Sequence, residues 1–167
     1  MERFLQNLDV LCWRYKENVH NYPGLHFTAQ PQACDALLTC LTLLQAEGSG
    51  SYRTVPLKSL SLRDEAKVTG GQAFEAFTRL RITVSSASDH LRQMSFHADG
   101  STVRFDLAES GVTLLQTGIE AVKRGEGDYS IHPSVDKKRG LVLGEQDQSS
   151  ERLWFWPCFG HSCVTSG

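Results

Sequence analysis

Residues 103–133 begin V-R-F-D (103–106), continue through an apolar-periodic stretch, and close with G-E-G-D-Y-S-I-H-P (125–133). The same plan runs from Leu25: L-H-F-T (25–28), a periodic stretch, and G-S-G-S-Y-R-T-V-P (48–56). Phe27 aligns with Phe105 at an offset of 78 (105 − 27). At that offset Cys34, Leu37, Leu41 and Leu44 fall on Val112, Leu115, Ile119 and Val122. Spacings of i, i+3, i+7 and i+10 put each set on one face of a helix. One residue is dropped before the glycines, so Gly48, Gly50, Tyr52 and Pro56 match Gly125, Gly127, Tyr129 and Pro133 at an offset of 77. A connection tolerates such an indel, because loop-closure entropy changes little with one residue. Gly just past each helix suits the left-handed position that ends it.

The chain is therefore expected to be α+β, built as two tandem similar units of roughly β-β-α-β-β-β. Mostly antiparallel strands carry one long helix per unit, packed on the sheet. The first unit covers 1–86 and the second 87–157, with 158–167 as a flexible tail. Each unit alone, about 80 residues, is marginal for an independent core, which favours two units sharing one.

Outward from the repeat, residues 1–16 read either as a helical face (Phe4, Leu5, Leu8, Leu11, Tyr15) or, over D-V-L-C-W-R-Y, as a strand. N-Y-P-G (21–24) is a turn, with Pro presetting φ and Gly permitting a positive one. The pattern predicts strands at 25–29, 52–56, 59–62, 79–85, 91–97, 102–107, 128–132, 140–144 and 152–157, and helices at 33–46 and 111–124. Q-A-F-E-A-F (72–77) reads as a helical turn, Ser110 as an N-cap, and Asp99-Gly100 as a hairpin turn. R-L-R-I-T-V (79–84) and R-L-W-F-W-P (152–157) occupy equivalent places at an offset of 73 (152 − 79). Tyr52 and Tyr129 are expected to pack on the helices they follow.

Seventeen basic and 19 acidic residues leave a net charge of −2, against the basic face of a nucleic-acid binder. No apolar run is long enough to span a bilayer, and the start, M-E-R-F-L-Q, is not a secretory signal. Five cysteines, Cys12, Cys34, Cys40, Cys158 and Cys163, are odd in number and read as reduced thiols of a cytoplasmic protein.

Of the chemical constellations, C-F-G-H-S-C (158–163) has soft ligands but not the spacing of a zinc site. The same thiols lack an oriented base that would make a nucleophile. The paired glycines close helices rather than open them, so they do not cradle phosphate. No catalytic, metal or cofactor residues are assigned. L-W-F-W (153–156) alternates faces: Leu153 and Phe155 point one way, Trp154 and Trp156 the other. Buried on both sides, it is a central strand; with one side solvated, Trp154 and Trp156 form a docking patch with Phe159. The leading expectation is a non-enzymatic protein-binding module, of immunity or adaptor type. The alternatives are a small hydrolase or transferase, with Asp106, Glu109, His97 and His132 in a cleft between the units, and a homodimeric structural protein.

Overall fold

The computed structural model describes residues 2–17, 20–58, 69–85, 94–127, 129–131 and 151–157. A short 3-10 turn, Glu2–Leu5, precedes β1 (Val10–Tyr15), so the ambiguous N-terminal stretch resolves as a turn followed by a strand. Then come β2 (Leu25–Ala29), α1 (Pro31–Glu47), β3 (Tyr52–Pro56), β4 (Phe74–Ala76) and β5 (Arg79–Val84). β6 (Met94–Asp99), β7 (Thr102–Leu107), α2 (Glu109–Lys123), β8 (Tyr129–Ile131) and β9 (Leu153–Phe155) complete the described elements. The fold is α+β: the described residues form two α-helices and two sheets of mostly antiparallel strands.

The first sheet has the order β4-β1-β2-β9-β8 and the second β3-β5-β7-β6. Each sheet thus takes strands from both halves of the chain. The joins between halves are the two parallel pairs. β2 lies beside β9 with Leu25, His26 and Phe27 opposite Leu153, Trp154 and Phe155. β5 lies beside β7 with Leu80, Arg81 and Ile82 opposite Val103, Arg104 and Phe105. Backbone hydrogen bonds tie the sheets at two corners, Phe77 N–H to Cys12 O (3.1 Å) and Glu151 N–H to Phe96 O (2.8 Å).

Alternation decides what these strands bury. Leu80, Ile82 and Val84 face inward from β5, and Val103, Phe105 and Leu107 from β7. They join Val10, Cys12, Leu25, Phe27, Leu153 and Phe155 of the first sheet in one contiguous core. The periodic faces of both helices complete it: Cys34, Leu37, Leu41 and Leu44 from α1, and Val112, Leu115, Ile119 and Val122 from α2. Pro31 sits in the first turn of α1, where its missing N–H costs nothing. Gly48 follows α1 at φ 85° and donates to Leu44 O (3.0 Å), and Gly125 follows α2 at φ 77° and donates to Val122 O (3.0 Å). On α2, Gly118 has no room for a side chain, because a Cβ there would run into the Phe155 ring.

Three local expectations are corrected. Residues 74–76 form a strand rather than a helical turn, since Phe74, Glu75 and Ala76 pair with Tyr15, Arg14 and Trp13; tertiary pairing outweighs local propensity. Helix α2 starts one residue before Ser110 with Ala108 at the N-cap, and no side chain caps it. Tyr52 does not cover its helix: it is 51% exposed, with the Arg81 guanidinium 4.0 Å above its ring. Strands expected at 59–62 and 140–144, and the 158–167 tail, lie outside the described residues. Among the described residues no helix is long and apolar enough to cross a membrane.

Candidate functional site

The outward positions of β1, β2 and β9 carry rings. Period-2 alternation turns Val10 and Cys12 into the core and Leu11, Trp13 and Tyr15 to the opposite side of the sheet. His26 is opposite Trp13 in the β1–β2 pair and opposite Trp154 in the β2–β9 pair. Tyr22 comes over these strands from the N-Y-P-G turn. The result is a second apolar cluster, separate from the main core, of Leu11, Trp13 and Tyr15 with Tyr22, Phe74 and Trp156 packed against it.

His26 is the hub. Its ring lies near-parallel to Trp13 (centroids 5.3 Å apart, interplanar angle 22°), Trp154 (6.3 Å, 7°) and Trp156 (6.0 Å, 19°), the last meeting it edge to edge through a hydrogen bond. Trp154 and Trp156 are themselves near-parallel at 6.3 Å and 20°. Tyr22 stands edge-on to both indoles, at 5.3 Å and 5.6 Å. Offset and edge-to-face contacts at such separations are favourable because ring edges and faces carry opposite partial charge.

Hydrogen bonds set the His26 tautomer. An indole N–H can only donate, so the 2.9 Å contact from Trp156 Nε1 makes His26 Nδ1 the acceptor. The proton then sits on Nε2, which donates to Tyr22 O at 3.3 Å. Only the neutral ring satisfies both contacts. With its side chain removed from water, burial pulls the His26 pKa down to about 4, partly opposed by the Tyr22 carbonyl. Burial likewise raises the Tyr15 phenol above its ordinary value. Trp154 Nε1 donates to Pro23 O (2.9 Å), so both C-terminal indoles anchor or are anchored by the 20–26 stretch. Trp156 N–H donates to Phe27 O (3.0 Å), and Thr28 Oγ1 donates to Pro157 O (3.0 Å), holding the end of β9 against β2.

Neither sequence expectation for Trp154 and Trp156 holds in its extreme form: both indoles are partly buried. Leu153 and Phe155 are fully buried, as the alternation implied. At the rim, the Arg152 guanidinium lies 5.8 Å from the Trp154 ring and bonds Ser130 Oγ (3.0 Å). Arg14 reaches Glu75 and Glu151, each at 3.1 Å. Phe159 lies outside the described residues. Trp13, Tyr15, Tyr22 and His26 were not singled out from sequence. The available signals were the alternation of Leu11, Trp13 and Tyr15, and a lone imidazole inside the apolar L-H-F-T strand.

Of the acids and histidines of the enzyme alternative, His97, Asp106 and Glu109 are among the described residues, and Asp106 is opposite Ser95 in the β6–β7 pair. His97 Nε2 is 3.0 Å from Ser95 Oγ on the outer side of the second sheet. Asp106 is on the neighbouring strand, with its carboxylate 3.8 Å from Arg104, and Glu109 opens α2. His132, Cys158, His161 and Cys163 lie outside the described residues. Among the described residues no group of three or more His, Cys, Asp or Glu could hold a metal ion. A groove between α1 and α2 is lined partly by Thr39, Thr42, Thr113 and Thr117. Of these, Thr39, Thr42 and Thr117 turn their hydroxyls back to carbonyls of their own helices, at 3.0, 3.0 and 3.1 Å. Comparison with protein-family models, curated proteins and solved structures finds no match.

Proposed function

We propose that this protein is a non-enzymatic protein-binding module that engages its partner through the ring layer on the outer side of the first sheet. Trp154 and Trp156 are the contact residues, supported from beneath by His26 and Trp13. The observation that carries this reading is the contrast between the sheets. The row Trp13, His26 and Trp154 on the first sheet has as its counterpart His97, Arg104 and Arg81 on the second. A solvated sheet face is ordinarily polar, as the second is; on the first, Trp13 and His26 are fully buried and Trp154 and Trp156 stay partly exposed, and exposed aromatic rings of this kind mark interaction sites. Trp and Tyr dominate binding hot spots because a large rigid ring loses little conformational entropy on docking. Here both indole N–H groups are already bonded, which holds the rings ready. Three reduced, buried thiols, Cys12, Cys34 and Cys40, support a cytoplasmic location.

We further read the chain as two similar units that exchange strands. The pair Phe27–Phe155 carries over to Phe105–Ile82 under the sequence offsets of 78 and 73, and Leu25–Leu153 carries over to Val103–Leu80. The β3 and β8 pairings agree only after a shift of one residue. Arg53 and Val55 face Ile82 and Leu80, whereas Tyr129 and Ile131 face Phe155 and Leu153, an offset of 76 (129 − 53).

The test is photo-crosslinking from residue 152, next to Trp154, followed by titration of the purified captured protein against the native chain and Trp154→Lys. The substituted residue is partly exposed, so the variant should keep the native amide spectrum while binding weakens by about 2 kcal/mol or more. Equal affinity for both chains would refute the assignment.

A further inference from the structure

We propose that the ring layer receives an extended partner segment whose carboxylate meets Arg152 and whose apolar side chains cover Trp154 and Trp156. This rests on the reading of that layer as the docking surface and names the chemistry of its partner. Arg152, Trp154 and Trp156 stand at alternate positions, which turns all three to one side of the sheet. The contacts agree: the Arg152 guanidinium lies 5.8 Å from the Trp154 ring and donates (3.0 Å) to Oγ of Ser130, which is opposite Trp154 in the β8–β9 pair. The other outward strand positions of β1, β2, β4 and β8 hold rings, aliphatic groups and hydroxyls. With His26 neutral none of these is charged, so Arg152 brings the charge to this side.

That charge is not neutralised by its neighbours. Arg14, Arg53, Arg104 and Arg124 each have a carboxylate partner, whereas among the described residues none pairs with Arg152. The adjacent Glu151 alternates to the other side and bonds Arg14 (3.1 Å). One N–H to Ser130 orients the guanidinium and leaves its remaining donors for a carboxylate, which they can hold in a two-point contact. The indoles recognise something else. Their N–H groups already donate to Pro23 O and His26 Nδ1, so the rings offer apolar surface rather than hydrogen bonds. Opposed charge fixes register and steers association, and Arg with Trp dominates binding hot spots. A two-residue step of about 7 Å along an extended chain sets an acid on Arg152 and apolar groups on the indoles at alternate positions. A single cation suits a peptide carboxylate rather than a polyanion, whose binding needs many phosphate contacts.

The experiment titrates three peptides into the ¹⁵N-labelled full chain at low salt: acetyl-Glu-Ser-Leu-Ser-Leu-amide, its Gln counterpart, and a form with Ser in place of both leucines. The first should give saturable shifts at the Arg152 Nε–H and at the Trp154 and Trp156 indole N–H groups. The Gln peptide should bind about tenfold more weakly, and the leucine-free peptide should not saturate. Arg152→Gln should lower the affinity of the Glu peptide to that of the Gln peptide while leaving the Gln peptide unchanged. Arg152→Lys, which keeps charge but loses the planar fork, should fall between. Equal affinity for the Glu and Gln peptides, or an Arg152→Gln chain that still prefers Glu, overturns the proposal. In those cases shifted indole N–H signals show that the ring layer itself still docks a peptide. Binding as tight without the leucines, or no saturable response to the Glu peptide, also overturns it.

Discussion

Acidification should destabilise this protein through one imidazole. His26 has a folded pKa of about 4 against an ordinary value of 6.5, because its buried ring would have to charge without water. Between those values the unfolded chain binds a proton that the folded chain refuses. Stability from this group is therefore complete above pH 6.5, declines as pH falls, and is gone below pH 4. At about 1.4 kcal/mol per pKa unit, the full span of 2.5 units (6.5 − 4) is worth about 3 kcal/mol. Roughly 2 kcal/mol of it should disappear between pH 7 and pH 5, a range in which ordinary carboxylates remain ionised. Urea denaturation at half-unit pH steps, followed by tryptophan fluorescence, measures the slope. His26→Gln removes the titration and should flatten the curve over this range, whatever its effect on absolute stability. NMR titration supplies an independent check through the His26 ring carbons and the Nε2–H tautomer. A His26 resonance titrating near 6.5, or parallel curves for the two chains, would refute the reasoning.

The same contacts make further expectations. Trp156→Phe removes the donor and leaves buried His26 Nδ1 unsatisfied, and should cost about 1–3 kcal/mol, read by urea denaturation. Gly118→Val drives a side chain into the fully buried Phe155 ring, and should destabilise by about 1–3 kcal/mol despite removing a helical glycine, read as a lowered Tm. With Cys158 and Cys163 replaced by Ser, the native chain should react negligibly with a thiol reagent at pH 8. Burial holds Cys12 well above its ordinary value, and Cys34 and Cys40 at about 12 and about 11. In denaturant all three should label; rapid native labelling would contradict their placement.

Much of the fold was legible because burial on one side of an element leaves a period. The faces of α1 and α2, the alternation of Leu80, Ile82 and Val84, and the glycines after each helix are all local consequences of 3.6- and 2-residue geometry. Residues 74–76 were misread because their strand state comes from pairing with β1, which no local window contains. The ring layer was half legible. L-W-F-W announced a two-sided apolar strand, but whether its second side met solvent or protein depended on a distant partner.

Periodicity and turn chemistry in the chain itself determined which segments are helices and strands and which side of each is apolar. They act between residues a few positions apart, so they can be read without coordinates. Only the tertiary structure decided how the strands are distributed. It set β9 parallel to β2, and brought Trp156 to His26 across 130 residues and Trp154 to Pro23 across 131. Those contacts partly bury the indoles and hold His26 neutral. The physical reason is that a strand's backbone satisfies its hydrogen bonds equally well against any neighbour of suitable register. The choice among neighbours is made by the joint packing of one core drawn from both halves of the chain.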